Sequence, residues 1–218
     1  MPELSHLPGA PADYPRVALA PGGSGQLFRV VDGWLTVQVY RGGRLARLGH
    51  NHVLEAPIYG TFRVDGEAVT ADLYARPAEL LVDREETRRA LGPDFANSDP
   101  DAEDIEGTRG NLLSKKVLNP NAYPFIRATI DDERDAGGAV AAVIDLAGGT
   151  AEVAIEVEAV EAAPCEPGYR GTFRLSHSDL GLTPFSILGG AVAVADAFDV
   201  TFFIGGQPIG DCRLSGPP

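Results

Sequence analysis

The stretch Val140-Ala-Ala-Val-Ile-Asp-Leu-Ala-Gly-Gly-Thr-Ala-Glu-Val-Ala-Ile-Glu-Val-Glu-Ala159 decides the fold. Val153, Ile155 and Val157 fall on one side of an extended chain, with Glu152, Glu156 and Glu158 on or near the other. A period of two is that of a half-buried strand, because successive side chains leave an extended backbone on opposite faces. Gly148-Gly149 separates this strand from Val140–Leu146, so the stretch reads as an antiparallel hairpin.

The same signal recurs on both sides of this hairpin. Upstream, Leu35, Val37 and Val39 alternate with Thr36, Gln38 and Tyr40, and Gly42-Gly43 marks a turn. Leu48–Leu54 continues as a strand, Thr61–Val64 ends at the turn Asp65-Gly66, and Val69–Ala75 follows. Downstream, Ile126, Ala128 and Ile130 alternate; Phe173, Leu175 and His177 share a face; Ala197–Ile204 is a last strand ended by Gly205-Gly206. Strands this regularly punctuated argue for an antiparallel barrel or sandwich.

The middle of the chain follows a different rule. Glu85 stands four residues before Arg89, a helix-supporting pair. Asp99-Pro100 reads as a helix cap followed by proline, and Ile105, Leu112, Leu113 and Val117 fall near one helical face, with Arg109 and Lys116 at its border. One short helix and one amphipathic helix are thus expected within residues 83–118, stopping before Asn119-Pro120. The acidic run Asp101, Glu103, Asp104 and Glu106 suits the first turns of a helix and lacks the spacing of a calcium loop.

With 218 residues, 44% of them apolar, the chain suits one large β domain with a real core. Residues 1–26 read as an irregular arm, 27–210 as the barrel and 211–218 as a tail. The 18 Lys+Arg against 31 Asp+Glu give a net charge of −13, which disfavours nucleic acid and adhesion to an anionic membrane surface. No apolar run is long enough for a transmembrane helix, and the first thirty or so residues lack a signal peptide's pattern, so a cytoplasmic location is expected. Cys165 and Cys212 have no C-x-x-C partner; two ordinary thiols are the expected state, with one disulfide left open.

Two longer segments carry a resemblance: Asn111-Leu-Leu-Ser-Lys-Lys-Val-Leu-Asn-Pro-Asn-Ala-Tyr-Pro-Phe-Ile and Phe173-Arg-Leu-Ser-His-Ser-Asp-Leu-Gly-Leu. In this order, after a glycine-punctuated hairpin and a helical decoration, they resemble the YceI-like, polyisoprenoid-binding family over roughly residues 27–204. The resemblance implies an extended lipocalin-like barrel of about eight antiparallel strands that holds an isoprenoid or fatty amphiphile inside. Such a barrel removes exposed strand edges, and its interior just holds one slender ligand. Where many members have a short glycine-phenylalanine segment, this chain has Gly49-His50-Asn51-His52-Val53, similar to a His-containing branch.

Parity places Leu35, Val37, Val39, Phe62, Val64, Phe173, Leu175, Val200 and Phe202 in the barrel interior. All of these except Val64 join Arg44, His50, His52 and His177 as candidate ligand-binding residues. His50 and His52 are two apart and in phase with Leu48 and Leu54; His177 is in phase with Phe173 and Leu175. The three imidazoles are expected to converge near one end of the barrel. They could anchor a polar headgroup, pack as hydrogen-bonded core residues, or bind zinc or another divalent metal with an open position. Arg41, Arg44 and Arg47 read either as a cationic mouth for a diphosphate or as a solvated hairpin.

No catalytic residue is assigned. Ser176, His177, Ser178 and Asp179 invite a hydrolase reading, but neighbours on a strand point to opposite faces, and no G-x-S-x-G elbow is present. Asp179 with Ser178 instead suits a turn leading into Leu182–Pro184. The expected partner is a lipid-like small molecule, with no cofactor; a metal-dependent protein using the histidines is the alternative, and a homodimer is left open.

Overall fold

The computed structural model describes residues 24–66, 68–97, 100–134, 139–160 and 165–212, with 131–134 as backbone only. The expected arm before residue 24 and the cap residue Asp99 lie outside these residues.

The strands are β1 (Gln26–Gly42), β2 (His52–Pro57), β3 (Tyr59–Asp65), β4 (Ala68–Ala75), β5 (Leu81–Val82), β6 (Ile126–Arg134), β7 (Val140–Leu146), β8 (Gly149–Val160), β9 (Gly168–Ser176), β10 (Ser186–Ile187) and β11 (Val192–Pro208). The helices are α1 (Glu85–Ala90), α2 (Pro93–Ala96) and α3 (Ala102–Leu112). The ring runs β1-β3-β4-β6-β7-β8-β9-β11, and β11 pairs back onto β1. This is a closed, antiparallel, lipocalin-like barrel of eight strands. Closure satisfies the backbone groups that an open sheet would leave at its edges.

Parity sorts the side chains. On β11, Phe198, Val200, Phe202 and Ile204 are buried, and Val37 pairs with Val200 and Leu35 with Phe202 across the β1–β11 seam. β1 carries an extra residue between Val30 and Asp32. Such a bulge flips the facing of all that follows. Phe28 and Val30 therefore share the inward face with Leu35, Val37 and Val39, although their numbers are of opposite parity.

The lower end of the barrel is solid. Phe28 and Phe62 are fully buried and stack at 5.3 Å, with Tyr169 edge-on to Phe62 at 5.7 Å. Gly206 is required here: a Cβ would lie 2.4 Å from the Phe62 ring. Gly205-Gly206 therefore does not end the last strand, as the sequence suggested; β11 continues to Pro208.

The upper half differs because one long strand splits. β2 and β3 meet at Ile58, whose N–H donates to Gly33 O at 2.9 Å. Below the bend β3 pairs with β4; above it β2 pairs instead with the two-residue β5. The gap is covered by residues 76–97 and 100–118, where Leu80, Val82 and Leu118 pack on Leu54, Ala56 and Ala75, joined by Ile105, Leu112 and Val117.

Three local expectations are corrected. Ala46–Leu48 forms a 3₁₀ turn with Leu48 exposed, and β2 begins only at His52, so Leu48–Leu54 is not one strand. α3 is capped by Asp101, whose Oδ1 accepts from the N–H groups of Glu103 and Asp104, both at 2.9 Å. α3 also stops at Leu112, with turns carrying the chain to Asn119, and two short helices rather than one precede it.

Candidate functional site

Between the solid floor and the upper rim lies an apolar cavity of about 480 Å³. Its volume is within the usual range for small-molecule sites. Of the sequence candidates, Leu35, Val37, Val39, Phe173, Leu175, Val200 and Phe202 line it, as do His52 and His177. Leu35, Val37, Val39 and Phe173 are only half-buried although they face inward, because they border empty space. Phe62 lies in the floor beneath it. Arg44 is exposed on the β1–β2 turn, and His50 sits in the irregular link before β2; neither borders the cavity.

The rim is polar. Lys116, Asn111 and Thr108 stand on the covering segment, and Thr183 follows the turn after β9. His52 opens β2, and its Nδ1 donates to Asp83 Oδ2 at 2.6 Å. Asp83 is buried, with a left-handed backbone of φ 53°. Its Oδ1 accepts from Val53 N–H at 2.9 Å and from Arg88 Nη1 at 2.5 Å. Arg88 is buried too, and donates to Phe95 O at 2.5 Å and Asn51 O at 2.8 Å. Burial pushes the Asp83 carboxyl up, but hydrogen bonds from His52 and Val53 and the Arg88 charge outweigh this and hold it below the ordinary carboxylate range. An ionised carboxylate only accepts, so the His52 proton is on Nδ1 and Nε2 is left for a ligand.

His177 is held in a parallel way. Its Nδ1 donates to Asp196 O at 2.7 Å, and its ring lies 5.1 Å from Phe198. The turn after it is pinned by Asp196, whose carboxylate accepts from Ser178 N–H at 3.0 Å and from Ser178 Oγ at 2.5 Å. Those bonds place the Asp196 carboxyl below the ordinary carboxylate range. Ser178 thus serves the turn, and His177 again keeps Nε2 free.

The register fixes how far apart these imidazoles stand. Val39 pairs with His52 on one side and Phe198 on the other, and Phe198 pairs with Leu175. Two strands therefore separate His52 from His177; three spacings of ~4.8 Å make on the order of 14 Å around the wall. His50 lies 6.4 Å from His52 between ring centroids. Among the described residues no group of three His, Cys, Asp or Glu side chains is placed to hold a metal ion.

The Asp83–Arg88 pair was not anticipated from the sequence. In the sequence the two are only members of the charged run Asp83-Arg-Glu-Glu-Thr-Arg-Arg89, in which nothing marks this pair as the buried one. Cys165 and Cys212 are joined, with Cα atoms 5.9 Å apart, which replaces the two thiols expected.

No protein-family model and no curated protein matches this chain. Solved structures do. A polyisoprenoid binding domain from Saccharophagus degradans, implicated in plant cell wall breakdown, superimposes with a TM-score of 0.56 at 10% identity, over 85% of this chain and 100% of that one. BcnA of Burkholderia cenocepacia gives 0.52 at 12% identity, over 79% of this chain and 95% of that one. The likeness is one of fold: the chain adopts the same extended, lipocalin-like barrel as a polyisoprenoid binding domain.

Proposed function

We propose that the protein binds one slender lipid-like amphiphile, an isoprenoid or fatty chain, in the barrel cavity. The observation that carries this reading is the apolar cavity of about 480 Å³ above a solid floor, with a polar rim at its upper end. Burying a hydrocarbon chain gains ~0.8 kcal/mol per CH₂, so affinity requires no catalytic group. The apolar tail would lie along Leu35, Val37, Phe173 and Phe202, and the polar end at the rim, near His52, His177 and Lys116. The fold shared with a polyisoprenoid binding domain supports the same reading, as does the YceI-like resemblance of the two quoted segments.

The test is organic extraction and mass spectrometry of the purified protein, with titration of a fluorescent fatty acid. Wild type should take up one equivalent. Val37→Trp, which fills the cavity from its wall, should weaken uptake at least about tenfold, the loss of a few buried CH₂ groups. Equal uptake by both would remove the cavity as the site. We further propose an oxidising compartment, since a bond such as Cys165–Cys212 is rarely kept where thiols are held reduced. Thiol titration of the isolated protein, expected to find none free, tests it.

A further inference from the structure

The cavity rim carries a projection that ligand binding does not use. It is built from the β1–β2 link, residues 43–51, and from β10 with the turn into β11, residues 186–191. The two are fastened together: Leu45 N–H donates to Ala191 O at 2.8 Å, and a Cβ on Gly43 would lie 2.5 Å from that same oxygen. Close approach and a φ of +83° both require glycine there.

Three large apolar side chains stand out from this tip. Leu188 is 72% exposed, Leu48 63% and Ile187 49%. Leu188 holds a left-handed backbone, φ 52°, in which a leucine is uncommon. Around them Arg41, Arg44 and Arg47 are exposed. Arg41 donates to Gly49 O at 3.2 Å; among the described residues Arg44 and Arg47 form no salt bridge. In a chain of net charge −13, residues 41–51 and 181–195 hold three arginines and no carboxylate. The flanking acids are the exposed Asp94, whose backbone carbonyl accepts from Asn51 Nδ2 at 3.1 Å, and the exposed Asp179 and Asp196, of which Asp196 is tied up by Ser178.

We propose that this tip is a membrane-docking surface that seats the barrel mouth on an anionic lipid bilayer. Apolar side chains at the apex with arginines behind them suit the interface: leucines enter the acyl boundary while guanidinium groups meet phosphates. Net charge alone argues against such adhesion, but surface potential falls off within about a Debye length, so the local arginines decide it. The tip also continues directly into the cavity wall. Val194 pairs with Arg41 and borders the cavity, as does Phe185, next to the β10 residues. A barrel docked here would face its opening toward the bilayer.

Flotation of the ligand-free protein with phosphatidylcholine vesicles, with and without phosphatidylglycerol, tests this apart from any cavity ligand. Wild type should float with the anionic vesicles, less with neutral ones, and less as salt rises. Leu48→Asp with Leu188→Asp should cut binding at least about tenfold. Arg44→Glu with Arg47→Glu should cut it at least about fivefold for each arginine on anionic vesicles. All four positions are exposed, so circular dichroism should stay that of wild type. Wild type that never floats with anionic vesicles, or variants that float equally well, would overturn the proposal. A concentration-dependent dimer that the leucine pair dissolves, with no vesicle binding, would overturn it in favour of a second copy of the chain.

Discussion

The floor and the upper half of the barrel are made by the same strands with the same inward alternation, yet one is filled and the other hollow. In the floor, Phe28, Phe62 and Tyr169 interlock, and Gly206 leaves room for them. In the upper half, Leu35, Val37 and Val39 face inward and meet empty space. Parity decides which side chains point in. Whether the inside is full depends on what surrounds it, and above Ile58 β2 stays beside β1 but pairs on its other edge with β5, where β3 below pairs with β4.

The largest expected effect lies in the floor. Phe62→Ala should cost about 3–5 kcal/mol in urea unfolding, as fully packed aromatics do. Lipid should no longer be needed to explain that loss, since Phe62 does not border the cavity. A cost below about 1 kcal/mol would mean that the floor is not packed as described.

Next is the buried pair beneath the rim. Asp83→Asn should cost about 3 kcal/mol, because it leaves the buried Arg88 guanidinium without its counter-charge. Asparagine tolerates the left-handed backbone, so the loss reports the charge. The pH dependence has a definite sign. Asp83 is held below its ordinary value when folded, so its contribution is complete above the usual aspartate range and is lost as pH falls through the folded value. The loss of stability with falling pH should therefore be shallower in the variant than in wild type. A variant with the same acid limb would show that other carboxylates govern it.

Reduction comes third. The Cys165–Cys212 bond closes a 47-residue loop, and breaking it should cost about 2–4 kcal/mol. Fatty-acid uptake by the protein that stays folded should not change, since neither cysteine borders the cavity. Reduced protein with unchanged stability would leave the bond without a structural role.

Most strands along the chain, their alternating faces and the helical interruption were legible because each rests on local periodicity. The alternation of Val153, Ile155 and Val157 or of Val200 and Phe202 needs no distant partner to be read. The bulge after Val30, by contrast, leaves no mark in composition, and neither does the 3₁₀ turn that takes Leu48 and His50 out of the strand. His52 and His177 were found by phase, but their spacing around the wall depends on β11 closing onto β1, a pairing of the two ends of the domain. Asp83 and Arg88 were missed for a related reason: a buried ion pair is defined by what covers it, and α2 and the His50–Val53 link cover it only in the folded chain. The cysteine pair likewise became decidable only once the tail was placed beside the loop before β9.

The smallest effect is the sharpest probe of the contrast. Val64 and Val37 are the same residue type, both inward; Val64 is buried in the lower core and Val37 is on the cavity wall. Truncation of each removes the same atoms, so transfer free energy is matched and only the surroundings differ. Val64→Ala should leave a closed void and cost about 2 kcal/mol. Val37→Ala only enlarges a space that already exists, and should cost less than about 1 kcal/mol in protein stripped of lipid. Bound lipid should narrow the difference, because the chain then packs against the wall and the methyl groups lost at Val37 weaken its hold. Equal costs in stripped protein would mean that the upper half collapses or is otherwise filled in solution, and the distinction between a packed floor and an open chamber would fall.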